Sequence, residues 1–297
     1  MDAMTPEAAV AHVVGTNPTF AIAPTVVRGV TYKAFQNVPP TVPALMDAGM
    51  AQHADGTADY LLYEGERWTY GEFCAEVRRT AQVLRGTFNI GKGDRVAIAM
   101  RNYPELLTLV LGISCTGATV VFLNAWWTTE ELEYALDDSA AKLVFADGPR
   151  VERLLPLVAN LSLTLVGVRD GEGMVEHAYT PLQTAASDAP LDTIIDTDDD
   201  FAVMYSSGTT GHPKGVVQTH RGSVNAVFSW LMQSVVAPLV TPPEPDAPEA
   251  LRPSALVVTP LFHVTATHPL FLLSLIAGAH ITLMRKWDAN EAIRLIE

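Results

Sequence analysis

The spacing of apolar residues along the chain changes repeatedly between a period of two and a helical period, and those changes predict the elements. Tyr60 to Tyr63 and Glu66 to Trp68 flank Glu64-Gly65, which predicts a β-hairpin. Thr69 and Glu72 then form a capping box for a helix whose apolar face is Phe73, Val77, Ala81 and Leu84. Gly91-Lys92-Gly93-Asp94 reads as a turn into a strand from Arg95 to Met100. Pro104 opens a helix to about Thr116, and a strand follows from Ala118 to Leu123. Thr128 and Glu131 cap a helix that ends near Asp138. A strand from Lys142 to Ala146, a helix from Pro149 to Ala159 and a strand from Leu163 to Val168 complete this half. Strands alternating with helices of this length predict an α/β fold of stacked βαβ subdomains, with largely parallel sheets covered by helices.

Outside that region the pattern is weaker. Residues 1–42 show little periodicity and read as an arm lying on the body. Five acids between Asp192 and Asp200 form a charged segment, read as a solvated linker between a first subdomain (43–191) and a second (201–297). The second begins with a buried strand, Phe201 to Tyr205. A short strand from Val216 to Gln218 and a helix from Arg221 to Val235 come next. Thr241 to Pro253 carries five prolines and reads as a surface loop. A strand from Ser254 to Pro260, a helix from Pro269 to Ala277, a strand from His280 to Met284 and a helix capped by Asp288 then run to Glu297. The apolar region Ser254 to Met284 is interrupted by Pro260, His263, His268, Pro269 and Gly278. It therefore falls short of the roughly 20 uninterrupted apolar residues of a membrane span.

Composition narrows the function classes. A 297-residue chain with 48% hydrophobic residues builds a large core. A net charge of −14 argues against nucleic acid or an anionic membrane as partner. Cys74 and Cys115 lie in apolar helical patterns and form no CxxC pair, and the start of the chain lacks a basic, apolar leader. The expected setting is a reducing cytoplasm with no integral membrane segment.

One stretch carries chemistry: Tyr205-Ser206-Ser207-Gly208-Thr209-Thr210-Gly211-His212-Pro213-Lys214-Gly215. Gly208 and Gly211 allow positive φ and close approach of backbone to ligand. Successive N–H groups, the hydroxyls of Ser206, Ser207, Thr209 and Thr210, and the Lys214 ammonium make a site for a polyphosphate. It is not a Walker A box, because Pro213 precedes Lys214 and Gly215 follows it. A flexible polar surface loop is the plainer reading, but the buried strand before it and the lone lysine after it favour phosphate binding. A second stretch, Pro260-Leu261-Phe262-His263-Val264-Thr265, closes a buried strand. A histidine there is commonly structural, and His263 with His268 lacks a third metal ligand nearby.

The first stretch resembles the phosphate-loop signature of the adenylate-forming superfamily, whose members include acyl-CoA synthetases, peptide-synthetase adenylation domains and firefly-type luciferases. Ser206-Ser207 stands where Thr-Ser is commoner. The order of the Thr-Tyr-x-Glu helix, the Gly-Asp-Arg-Val-Ala strand and the Asn102-to-Glu105 helix start resembles the first subdomain of that superfamily. The resemblance implies an AMP-forming acyl-CoA ligase acting on a fatty or aryl carboxylic acid, with ATP, magnesium and CoA. It implies that Ser206, Ser207, Gly208, Thr209, Thr210, Gly211 and Lys214 hold the phosphates, with magnesium at Thr209 and Thr210. It also implies catalytic roles for Lys214 and His263, with Phe262, His263, Val264 and Thr265 beside the acyl group. Peptide-synthetase domains usually carry Phe-Asp where Phe262-His263 stands, which favours a CoA ligase over a carrier-protein-dependent adenylation domain. The superfamily's later signatures, including a Tyr-Gly-x-Thr-Glu box and a C-terminal lysine, do not occur. The chain is therefore expected to lack the C-terminal lid domain and to have little turnover alone. A non-catalytic nucleotide-binding remnant is the third reading.

Overall fold

The computed structural model describes residues 3–53, 56–206, 213–244 and 251–296. In chain order the strands are β1 (Ile22–Val27), β2 (Val30–Phe35), β3 (Asp59–Tyr63), β4 (Glu66–Thr69), β5 (Arg95–Ala99), β6 (Thr119–Phe122) and β7 (Leu143–Ala146). They continue with β8 (Thr164–Gly167), β9 (His177–Ala178), β10 (Asp200–Ser206), β11 (Lys214–Thr219), β12 (Ser254–Val257) and β13 (His280–Leu283).

A seven-stranded sheet has the order β11-β10-β6-β5-β7-β8-β9, parallel throughout except for β11, which turns back on β10. A four-stranded sheet has the order β12-β13-β3-β4 and is parallel except at the β3–β4 hairpin. The expected α/β architecture with largely parallel sheets is therefore observed. β6 and β7 are buried at every position, as covered parallel strands must be. The capping boxes at Thr69/Glu72 and Thr128/Glu131 are both formed.

The two sheets do not follow the order of the chain. β10 and β11, from beyond the acidic segment, complete the sheet built by β5 to β9. β3 and β4 leave the first half to join β12 and β13. Segment 192–200 thus lies between halves in sequence while each sheet draws on both. It is also tied down: Asp198 accepts a fork from Arg221 (2.7 and 3.0 Å), and Asp199 pairs with Lys92 at 2.6 Å. Neither acid belongs to a metal-binding cluster among the described residues.

Several local expectations are corrected. The first 42 residues are not featureless: Thr5 caps the helix Pro6–Thr16, and Arg28-Gly29, both at positive φ, turn β1 into β2. That helix buries only Ala9 and Val13, too few positions to show a period. The helix Val42–Gln52, capped by Thr41, was also not anticipated. The helix expected from Pro149 to Ala159 is broken into Gly148–Leu154, a 3₁₀ turn Leu155–Leu157 and Val158–Leu161, with Pro156 in the turn. Strand β12 ends at Val257, three residues before Pro260. The helix expected to start at Pro269 instead begins at Val264 and passes through a π segment, Thr267–Leu272, before Leu273–Ala277. Pro269 lies inside the π segment, where the wider turn accommodates its ring and its missing N–H.

The helix after β11 runs from His220 to Val240, six residues longer than expected. By length and composition alone it could cross a membrane. Here it buries Val224, Val227 and Phe228, the last beside Phe35, and its Leu239 carbonyl accepts from the Met4 amide.

Candidate functional site

The carboxyl ends of β6, β10 and β12 meet on one rim of the molecule, and the two sequence motifs lie on it. β10 and β11 pair antiparallel so that Ser206 faces Lys214 across the ladder. The segment between them is closed at its base by these two exposed residues. The Ser206 hydroxyl reaches the Lys214 carbonyl at 3.5 Å. Ser207, Gly208, Thr209, Thr210 and Gly211, expected to cradle phosphate and magnesium, lie outside the described residues. The structure therefore places the two ends of the loop expected to bind phosphate.

From the loop's base a continuous aromatic path leads to the second motif. Tyr205, next to Ser206, packs edge-on against Trp127 at 5.6 Å. Its hydroxyl donates to Asp138 Oδ2 (2.7 Å) and lies 3.0 Å from the Ala135 carbonyl, and burial raises its pKa. The neighbouring Trp126 meets Phe262 edge-on at 5.2 Å, and Phe262 lies tilted against His263 at 4.6 Å. Of the two adjacent indoles only Trp127, 8% exposed, plugs the loop onto the core; Trp126 is 52% exposed. The loop is rigidly held even so. Asn124 Oδ1 accepts the Trp126 amide at 2.9 Å, and Arg153 donates to the Trp127 carbonyl at 2.8 Å.

The second motif is fixed by a residue that no motif reading singled out for the site. Asn102, buried, donates to the Thr259 carbonyl (2.9 Å) and accepts the Leu261 amide (2.9 Å), pinning the turn between β12 and the next helix to the end of β5. Thr267 Oγ1 donates to the carbonyls of Leu261 (2.5 Å) and His263 (3.0 Å), closing the turn from the other side. Phe262 is buried, whereas His263, Val264 and Thr265 are exposed at the rim. Partial burial lowers the His263 pKa, so its imidazole is neutral at pH 7.

Beside the rim is the switch point of the seven-stranded sheet, where β5 has β6 on one side and β7 on the other and the crossovers diverge. Open α/β sheets bind ligands at such a crevice. A cleft of about 890 Å³ opens there between the two sheets, with Arg101, Arg153, Arg285 and Lys286 on its walls. Arg101 also lies 4.8 Å over the Trp126 ring, so the cationic cleft adjoins the aromatic rim. At its floor Asp147 pairs with Arg150 and accepts the Arg101 amide at 3.2 Å; burial raises the Asp147 pKa.

A family model of AMP-binding enzymes matches residues 46–297. 4-Coumarate–CoA ligase 3 of Oryza sativa subsp. japonica is 32% identical over 234 residues, covering 78% of this chain and 40% of the relative. Long-chain-fatty-acid–CoA ligase FadD13 of Mycobacterium tuberculosis (strain ATCC 25618 / H37Rv) is 32% identical over 232 residues, covering 77% of this chain and 42% of the relative. The chain thus spans about two fifths of the length of these curated relatives. The inhibitor-bound N-terminal domain of FACL13 from Mycobacterium tuberculosis superposes with a TM-score of 0.71 at 27% identity, over 86% of this chain and 60% of that one. With the match extending over most of its residues, the chain belongs to the AMP-binding enzyme family.

Proposed function

We propose that this chain carries the phosphate-binding and carboxylate-binding parts of an AMP-forming acyl-CoA ligase for a fatty or aryl carboxylic acid. The observation that carries this reading is the path Tyr205–Trp127–Trp126–Phe262, which joins the base of the phosphate loop to His263 along one rim. The reaction joins a carboxylate to the α-phosphorus of ATP with loss of pyrophosphate; a CoA thiol then displaces AMP from the acyl-adenylate. A carboxylic acid with a pKa near 4–5 is already ionised at neutral pH, so the first step needs no general base. It needs charge neutralisation and alignment.

The residues of the rim supply both. The Lys214 ammonium stands exposed at the base of the loop, free to reach an anionic phosphate. His263, neutral because of its partial burial, donates one hydrogen bond to a carboxylate oxygen and so orients the acid without adding a full charge. Trp126 and Phe262 offer an apolar wall to the acyl group, and the cations of the cleft suit the polyphosphate end of CoA. Thr209 and Thr210 would hold a magnesium ion with the phosphates, which would supply further charge neutralisation. As in the curated CoA ligases that it resembles, the acceptor on this reading is free CoA and not a carrier protein.

Titrating the chain with ATP tests the reading. Saturable binding that weakens at least about tenfold in Lys214→Ala is expected. Absence of saturable binding at millimolar ATP, or equal binding by the variant, overturns it. Pyrophosphate exchange in the presence of 4-coumarate or a long-chain fatty acid then separates aryl from fatty acids.

A further inference from the structure

The cations of the cleft between the two sheets are in different states of pairing. Arg101 and Lys286 form no ion pair among the described residues, and Arg153 donates to the neutral carbonyls of Ala125 and Trp127. Arg150 and Arg294 are already paired, with Asp147 and Glu291. Arg285 lies between these cases. Its Nη2 is 3.5 Å from Asp170 Oδ2, and both side chains are nearly half exposed. A charge-assisted hydrogen bond is about 2.7–2.9 Å long, so this is a loose ion contact. Pairs of this kind contribute little to folding.

Neither partner depends on the other for its place. Asp170 Oδ1 accepts the Gly148 amide at 2.9 Å. A Cβ on Gly148 would stand 3.1 Å from Asp170 Cγ and 2.9 Å from its carbonyl oxygen, so the glycine is what lets this carboxylate come close. The neighbouring Arg169 fastens the same turn, forking onto Glu66 at 2.6 and 2.9 Å and reaching Glu105 at 2.6 Å. Arg285 has its own support, with its guanidinium 5.2 Å over the Tyr103 ring. Asp170 follows β8 of the seven-stranded sheet, whereas Arg285 follows β13 of the four-stranded one. The contact between them can be given up while both stay where they are.

We propose that Asp170 is a built-in competitor for the polyphosphate that enters this cleft. Its carboxylate engages the Arg285 fork until a phosphate group takes that fork in two parallel bonds. The exchange lowers the affinity of the cleft for any anion. It penalises a single carboxylate most, because a polyphosphate can also reach Arg101 and Lys286. This role rests on the reading that the polyphosphate end of CoA binds here.

CoA is titrated into the full chain by calorimetry, and melting temperatures check the fold of each variant. Asp170→Asn keeps the acceptor for the Gly148 amide and removes the charge. It is expected to tighten CoA about two- to fivefold, the range that an exposed ion pair spans. Arg285→Gln should weaken CoA by at least about threefold, and adding Asp170→Asn to it should then leave the affinity unchanged. Glu64→Gln removes another acid from the cleft wall, one without a cation partner among the described residues, and should tighten CoA less than Asp170→Asn does. No tightening in Asp170→Asn, equal tightening in Glu64→Gln, or tightening that persists without Arg285 overturns the proposal. Where the parent binds CoA, such a result removes only the role of Asp170. If neither the parent nor Asp170→Asn binds CoA, the proposal falls together with the reading of the cleft, and the ATP titration of Lys214→Ala still decides the ligase reading.

Discussion

The two large sheets reach the same kind of burial by opposite routes. The seven-stranded sheet collects strands that are near neighbours in sequence, from β5 at Arg95 to β11 at Thr219. The four-stranded sheet joins β3 and β4, before residue 70, to β12 and β13, after residue 253. Its long-range closure is fastened by specific polar contacts: Tyr60 and Ser274 hydroxyls share a hydrogen bond at 3.0 Å, and the Tyr70 hydroxyl donates to the Ala279 carbonyl at 2.6 Å. The strands flanking the Ser206-to-Lys214 loop belong to the first sheet, and the Phe262–His263 turn follows a strand of the second. The candidate site is thus assembled at a seam, and whatever loosens the seam takes the site apart before it melts either sheet.

Acid is expected to have the largest effect. Phe201, at the start of β10, lies between two buried imidazoles, His220 at 5.5 Å and His268 at 6.3 Å. His220 Nδ1 accepts the Val42 amide at 3.2 Å, so the seam also takes in the helix Val42–Gln52. Burial lowers both histidines from 6.5 to about 4; around His220 the nearby Asp199 and Asp200 oppose that shift and Lys92 adds to it. A histidine depressed in the folded state contributes stability that is fully present above pH 6.5. That stability is lost as the pH falls towards 4, because the unfolded chain takes up the protons first. Each contributes at most about 3 kcal/mol. Urea midpoints measured between pH 7 and 4 should fall steeply, and His268→Leu should flatten the curve; an unchanged slope would show that His268 does not titrate with unfolding.

A matched pair of glycine substitutions separates seam from sheet. A Cβ on Gly49 would stand 2.2 Å from the Leu275 carbonyl oxygen, a backbone atom of the facing helix. On Gly112 it would meet the Thr80 side chain, Cγ2 at 2.7 Å and Cβ at 2.8 Å, with the Ala81 amide nitrogen at 3.3 Å. Alanine improves helix propensity by about 1 kcal/mol at either site, so the steric term decides. Gly49→Ala should cost about 2–3 kcal/mol and Gly112→Ala about 1 kcal/mol or less, read from chemical denaturation. Equal costs would mean that the seam yields as easily as a side chain.

Much of the first sheet was legible because its signals are local. Capping boxes, Pro104 at a helix start and short apolar runs between turns fix elements without reference to distant residues. The strands of the second sheet and its β3–β4 hairpin were legible too, but their joining was not, since the pairing of Leu61 with Ile281 depends on contacts across most of the chain. The same distinction runs through the site. The Ser206-to-Lys214 loop and Phe262–His263 announce themselves as motifs. Asn102 does not: its value lies in bonds to Thr259 and Leu261, more than 150 positions away. The exposure of Trp126 was equally hidden, because adjacent tryptophans look alike in sequence. The signal that could have marked Asn102 is its place directly after the end of β5, at the carboxyl edge of a parallel sheet.

Asn102→Ala is therefore the next test in size. It leaves the buried Leu261 amide without its acceptor, a loss of about 2 kcal/mol. Acid binding should weaken more than ATP binding, because Asn102 holds the Phe262–His263 turn and its hydrogen bonds go to Thr259, Leu261 and Met284, not to the loop's base at Ser206 and Lys214. Equal losses for the two ligands would place both motifs under the control of the same anchor.

The smallest effect expected is at Thr128, whose hydroxyl accepts the Glu131 amide at 3.3 Å while Glu131 accepts the Thr128 amide at 2.8 Å. Thr128→Ala removes half of this box and should cost about 1 kcal/mol, lowering the melting temperature by roughly 2–4 °C. The cap lies just after Trp126–Trp127, yet those residues are held by Asn124 and Arg153. ATP affinity in Thr128→Ala should therefore stay within about twofold of the parent, as tenfold would correspond to 1.4 kcal/mol. A larger loss would mean that the helix Thr129–Ser139, and not the loop's own hydrogen bonds, sets the rim. The tie from Tyr205 to Asp138 would then be the element carrying that influence into the base of the Ser206-to-Lys214 loop.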